Sequence, residues 1–293
     1  MKYRIDHTTT YVYSTPVALS HNQVHLVPRN SERQECHVSR QHIHPTPSVV
    51  RSGQDFFGNN AGFFMIEHPH RELTVISQSV VEVAKPTWPE SASTPAWEAV
   101  RDALRRPLDE TTLDARLYVF ESPLVKMSKE VREYAAPSFR PERPLVEAVA
   151  ELTTRIFREF KYDPAATAIS TPTLDVLRLR RGVCQDFAHL QIACLRSLGL
   201  AARYVSGYLV TDPPAGQPKL VGADASHAWL AVWCPGSGWV DFDPTNGCLP
   251  SDRHITIAWG RDYSDVSPVK GVVLGGGMHT LRIAVDVSPV NGS

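Results

Sequence analysis

Several things are scarce in this sequence, and each scarcity removes a class of protein. Cysteines number five, at positions 36, 184, 194, 234 and 248, an odd set with no CxxC spacing. No disulfide framework and no thiolate zinc module fits that pattern, and a reducing cytoplasm is the expected compartment. No apolar run approaches the roughly 20 residues of a bilayer span. Lys2 and Arg4 are followed by no apolar stretch, so neither a secretory leader nor a membrane partner is expected. Charge of one sign is also missing: 30 basic residues face 31 acidic ones, a formal net charge of −1, which argues against a nucleic-acid partner. Calcium loops rich in Asp and Glu are absent. Gly275-Gly276-Gly277 has no following helix with Lys-Ser/Thr, so it reads as a turn rather than a phosphate loop. Histidines crowd the first half, as in His42-Ile43-His44 and His68-Pro69-His70, yet no carboxylate or cysteine completes either pair at ligand spacing. No metal and no cofactor is expected.

What is present is a globular composition, 42% hydrophobic over 293 residues, enough for one large or two ordinary domains. Residues 1–85 alternate as strands do: Tyr3, Ile5, Tyr11 and Tyr13, then Leu73 to Ile76 and Val80 to Val83. They predict an antiparallel β-domain that packs on the C-terminal core. The proline-rich stretch 85–95 is a linker by composition, and 86–144 reads as a linker and partly helical connecting segment. Val146, Val149, Leu152, Ile156 and Phe160 recur at helical spacing, opening a core assigned to 145–293. Ala201 to Val210 is a strand, Thr211 to Gly222 a Pro/Gly loop, and Leu281 to Val287 a last alternating strand.

The chemistry gathers around Gly182-Val183-Cys184-Gln185-Asp186-Phe187-Ala188-His189. After Cys184 the chain turns helical and almost wholly apolar, with Gly199 as a stop, and a helix apolar on most faces is a buried one. Cys184 falls in its first turn, where free N–H groups and the helix dipole favour negative charge on sulfur. A small core cysteine at the edge of a buried helix is the equal alternative. Downstream, Ser226 to Trp233 and Gly238 to Asp243 read as two strands of a hairpin. Alternation puts His227 and Trp229 on one face, and Asp241 and Asp243 together on a face of the partner strand. A nucleophilic thiol, an imidazole to carry protons and a carboxylate to orient it can meet there, with either aspartate as the third member.

GVCQDFA, then HAW, then GW-x-x-FDPT, at spacings of 43 residues from Cys184 to His227 and 16 from His227 to Asp243, resemble the transglutaminase-like superfamily. The opening Tyr3 to Tyr13, Asp55-Phe56-Phe57-Gly58-Asn59 and the closing Gly260 to Val266 resemble its bacterial branch, which carries its own N-terminal β-domain. The resemblance implies an α+β fold, an N-terminal antiparallel β-domain packed on a papain-like core. Carried over by residue, it implies Cys184 as nucleophile, His227 as base and Asp243, rather than Asp241, as the third member. It also draws attention to Tyr162, where the family often has an aromatic. With Gln185, Tyr162 is a candidate for the oxyanion hole, each weighed against plain packing. Asp186 is expected either to support His189 on the same helix side or to cap the loop before it. Trp229 is a cleft candidate or a core filler, and Asp224 and Asp262 are candidates for the cleft mouth. The expected partner is a peptide or protein amide, with water or an amine taking the acyl group. Three readings remain at this point: a cysteine-dependent amide hydrolase, a transglutaminase, and a non-catalytic module that kept the fold. Acetyl transfer and glycan-amide hydrolysis share the triad order as minor options.

Overall fold

A computed structural model describes residues 1–211 and 226–290. The Pro/Gly loop expected at 211–222 falls, beyond Thr211, outside the described residues, as does Asp224.

The N-terminal half is built on one long strand, β1 (Lys2–Val24). Its alternate residues Tyr3, Ile5, His7 and Thr9 are buried, the period of two that the sequence carries. Around it run β2 (Gln34–His44), β3 (Val49–Gln54), β4 (Asn60–Ile66) and β5 (His70–Val83) in the order β2-β5-β1-β4-β3, all antiparallel. Helices α1 (Trp97–Arg105), α2 (Glu110–Arg116) and α3 (Lys129–Ala135) come after it, then α4 (Leu145–Glu159). The short parallel pair β6 (Lys161–Tyr162) and β7 (Arg181–Gly182) brackets α5 (Thr173–Leu179). Helix α6 (Cys184–Ser197) comes next, and then strands β8 (Ala202–Leu209), β9 (Ser226–Cys234), β10 (Gly238–Phe242) and β11 (His254–Gly260) form a second antiparallel sheet, order β10-β9-β8-β11. The one-turn helix α7 (Tyr263–Val266) leads to β12 (Val269–Gly275) and β13 (His279–Pro289). The fold is the α+β arrangement expected.

The assigned boundaries need correction at both ends of the core. Strands β12 and β13, expected within a 145–293 core, leave it and pair with β1, completing a seven-stranded N-terminal sheet. Strand β13 matches Tyr3–Tyr13 residue for residue, a pairing of distant segments that no local pattern announces. The connecting segment, in turn, is more than a linker. Val100, Leu104, Tyr118, Val125 and Val131 are buried in the same apolar cluster as α6.

Helix α6 is the centre of that cluster. Every residue from Asp186 to Arg196 is buried, and α3, α4, α5, β8 and β9 pack around it. Gly199, at φ 83°, ends it by letting the Leu200 N–H reach back to the Leu195 carbonyl at 3.0 Å. The sheet beyond α6 is tied to the N-terminal half by polar side chains. Gln34 takes the Thr256 N–H at 2.8 Å and gives to its carbonyl at 2.6 Å. Asn59 does the same for Trp259, at 2.9 and 2.8 Å. Asp55 holds Asn59 in place through its backbone and side-chain N–H groups. Trp259 lies between two guanidiniums, Arg29 at 3.4 Å and Arg203 at 3.7 Å, and Arg203 also covers Trp239 at 4.3 Å. The conspicuous Asp55–Asn59 motif is thus an interlock between the two sheets.

Candidate active site

Cys184 is the first residue of α6 and is partly exposed. Its position is set by the residues around the helix start. Asp186 takes the Val183 N–H at 2.8 Å and the Thr167 hydroxyl at 2.6 Å. Gly182 leaves room for this: a Cβ there would lie 2.6 Å from an Asp186 carboxylate oxygen. Of the two roles weighed for Asp186, the cap is the one observed. Burial raises its pKa, opposed by these two hydrogen bonds.

His189 turns the other way. Its Nε2 accepts the Tyr263 N–H at 3.1 Å and its ring packs 5.0 Å from that of Tyr204. Asp262, expected at a cleft mouth, is fully buried. One of its oxygens takes the Ser264 N–H and hydroxyl, and the other takes the Leu124 N–H at 2.8 Å. Its work is to cap α7 and fasten the connecting segment, because a buried carboxylate must fill its lone pairs.

His227 stands at the start of β9, and its Nε2 is 2.7 Å from Asp243 Oδ2. Cys184 is also near enough to the imidazole to favour its protonated form. Burial pulls the His227 pKa down, but the hydrogen bond to Asp243 and the nearness of Cys184 outweigh it and lift the pKa to about 10. Asp243 lies just past β10, on a tight loop closed by backbone bonds to Cys248 in both directions. Gly247 allows that closure at φ 65°, with Phe157 packed where a side chain would stand. Asp243 is fully buried and accepts five bonds. Oδ1 takes the N–H groups of Thr245 and Asn246, and Oδ2 takes His227, the Asn246 amide at 2.6 Å and His254 Nε2 at 3.1 Å. Burial works to raise its pKa, yet these donors, His227 foremost, hold it well below the carboxylate range.

Asp241, on the same face as Asp243 by strand alternation, is used elsewhere. It pairs with Arg33 at 2.9 Å and accepts the Trp229 indole N–H at 3.4 Å. Trp229 is wholly buried, 6.0 Å from the His227 ring and edge-on at 5.3 Å to His254. It is a wall behind the imidazoles and not a substrate contact. Tyr162 is half exposed beside Cys184, its phenol pKa raised by burial and then by the charges of Cys184 and Asp186. Gln185 gives its amide to the Ile169 carbonyl at 3.1 Å, which fixes the 163–172 loop over the helix start.

Sequence reasoning missed His254 and Asn246. Asn246 carried a signal, as a turn-forming Asn three residues after Asp243; His254, on a strand two places away in the sheet, carried none. His227, Asp243 and His254 bring three ligand-type atoms within 4.8 Å of one another. The Ser251 N–H donates to His254 Nδ1 at 3.2 Å, so the ring proton sits on Nε2 and points at Asp243. A cation there would have to displace it and leave an imidazolate, so the cluster fits a hydrogen-bond network better than a metal site.

The buried histidines give stability a defined pH dependence. Burial lowers His7 to about 4, and lowers His189 as well. The unfolded chain therefore takes up protons near pH 6.5 that the folded chain refuses, so this contribution falls as pH drops from 6.5 towards 4. His227 has the opposite sign: its contribution is complete below 6.5 and is lost as pH rises through about 10. In urea melts, the stability gap between wild type and His7→Gln is expected to narrow from pH 6.5 to 4. The gap to His227→Ala is expected to narrow from 6.5 to 10. A constant gap in either series contradicts the assignment.

Comparisons with known proteins show the family and the fold. The model of the bacterial transglutaminase-like N-terminal region matches residues 3–82, and that of the transglutaminase-like superfamily matches residues 132–244. An uncharacterised Mycobacterium tuberculosis protein is 45% identical over 99% of this chain and 94% of its own length. An uncharacterised Mycobacterium leprae protein is 35% identical over 97% and 98%. A protein-glutamine gamma-glutamyltransferase of Pseudomonas aeruginosa is 31% identical over 107 residues, 34% of this chain and 16% of that one. In fold, the chain is similar to the crystal structure of a proposed cysteine protease from Cytophaga hutchinsonii. The TM-score is 0.79 at 20% identity, over 100% of this chain and 92% of that one. The chain belongs to the transglutaminase-like superfamily, and its N-terminal sheet carries the family's bacterial transglutaminase-like region.

Proposed function

We propose that the protein is a cysteine-dependent acyl-transfer enzyme that opens a peptide or protein amide through a thioester on Cys184. The observation that carries this reading is the His227–Asp243 bond at 2.7 Å, with Cys184 at the first position of α6 and near enough to favour the protonated imidazole. The Cys184 sulfur adds to the amide carbonyl carbon. The oxyanion is met by first-turn N–H groups of α6, which lack intrahelical acceptors, each worth on the order of 3 kcal/mol. The C–N bond then breaks as the His227 imidazolium gives its Nδ1 proton to the leaving amine. His227, now neutral, takes a proton from water, whose oxygen attacks the thioester and releases the acid with the thiol restored. An amine in place of water gives a new amide by the same steps. Asp243 keeps the imidazole turned towards sulfur throughout. Hydrolysis is the primary reading. Amine transfer is the second, favoured by the partial match to the protein-glutamine gamma-glutamyltransferase.

The test is turnover of glutamine-containing casein, with and without a fluorescent primary amine. Ammonia release alone is expected from a hydrolase, and amine incorporation from a transferase. Both are expected to vanish in Cys184→Ala. Activity that survives Cys184→Ala would sink the proposal.

A further inference from the structure

We propose that His254 is a positioning residue of this site, a neutral imidazole whose Nε2–H holds the Asp243 carboxylate ionised and aimed at His227. The inference deepens the proposed Cys184-His227-Asp243 chemistry and rests on it. Three observations point the same way. First, the proton on His254 is assigned by its surroundings. A backbone N–H only donates, so the Ser251 N–H at 3.2 Å makes Nδ1 an acceptor and leaves the hydrogen on Nε2, 3.1 Å from Asp243 Oδ2. Second, His254 and His227 meet the same carboxylate oxygen, with ring centroids 6.0 Å apart, so the two imidazoles differ only in what lies behind them. Cys184 acts on the His227 ring, whereas a backbone N–H holds the His254 ring. One ring is free to pass a proton to Cys184 and the other is locked as a donor. Third, His254 is buried, edge-on to the wholly buried Trp229, and its own N–H bonds the Ser251 carbonyl. The turn 251–254 therefore fixes the ring from both ends, as preorganisation of a charged site requires.

A carboxylate with both oxygens saturated by fixed donors cannot rotate away from His227 and has little tendency to take a proton from it. Asn246 supplies part of that support and His254 closes the remaining side.

The experiment uses the full chain and reads Cys184 alkylation by iodoacetamide at about pH 6, where an activated thiolate stands out from ordinary thiols. His254→Phe keeps the ring volume and removes the donor; alkylation is expected to slow about tenfold. His254→Gln places an amide N–H near the former Nε2 and is expected to recover most of the rate. Thermal melts of both variants accompany the rates. Phe alkylating like wild type, or Gln falling as far as Phe while melting like wild type, overturns the proposal. In parallel, ¹⁵N spectra of histidine-labelled wild type are expected to show His254 as the Nε2–H tautomer, and an Nδ1–H tautomer overturns the proposal whatever the activity. Failure of the underlying catalytic reading looks different: wild-type Cys184 itself then alkylates no faster than an ordinary thiol.

Discussion

Replacing His227 with alanine is expected to lower amide turnover by about ten-thousand-fold while leaving the protein folded. The imidazole is bonded to Asp243 and lies near enough to Cys184 to feel its charge. Without it, the proposed steps lose the group that protonates the leaving amine and activates water. The fold is expected to survive because Asp243 keeps four donors: His254, the Asn246 amide, and the N–H groups of Thr245 and Asn246. A truncation that left a bare buried charge would be far more damaging. Steady-state turnover checks the first half of this expectation and a thermal melt the second. A loss of less than tenfold would remove His227 from the chemistry.

Asp243→Asn is expected to be as severe, about ten-thousand-fold, and to destabilise as well. The amide must set its carbonyl either towards the Thr245 and Asn246 N–H groups or towards the histidines. In the first case its NH₂ faces His227, His254 and the Asn246 amide. His227 can respond by moving its proton to Nδ1, the wrong side for taking one from the attacking nucleophile. His254 cannot respond, because the Ser251 N–H holds its Nδ1. A buried donor then faces a donor, at a cost of about 2 kcal/mol. The Asp243 charge that helps lift His227 is also lost, leaving Cys184 to oppose burial. Asp241→Asn is the control. It weakens the contact to Arg33 and the Trp229 N–H, so stability is expected to fall while the surviving activity stays within about tenfold of wild type. Equal activity losses in the two variants would mean that Asp243 has no special role.

The segments of the candidate site were legible because their constraints are local. A thiol in the first turn of a buried helix and a histidine at the head of a strand are both visible as residue types at set spacings. The choice between Asp241 and Asp243 was not local. Alternation puts both on one face, and only Arg33, reaching over from the first half of the chain, shows which is already engaged. Asp262 misled for a similar reason. A carboxylate in a Gly-Arg-Asp-Tyr segment looks accessible until Leu124 and Ser264 are folded onto it. His254 was invisible because β11 reaches the site through β8 and shares no sequence neighbourhood with Asp243's partner. Likewise, the alternation of β13 was readable but its partner was not. Pairing with Tyr3–Tyr13 joins the two ends of the chain, a choice made by the apolar faces of a sheet that must be covered.

The other four thiols supply an internal standard for the central claim. Burial raises the pKa of Cys36 and Cys234, and raises Cys194 to about 12 and Cys248 to about 11. Cys36 and Cys248 are also partly exposed, as Cys184 is, so access alone does not separate them. The measurement is iodoacetamide labelling of the native protein at about pH 6 to 7, with each modified cysteine mapped by mass spectrometry. The predicted result is rapid labelling of Cys184 alone, slowed in His227→Ala. Labelling of Cys184 at the pace of Cys36 and Cys248, unchanged by His227→Ala, would contradict an activated nucleophile at the start of α6.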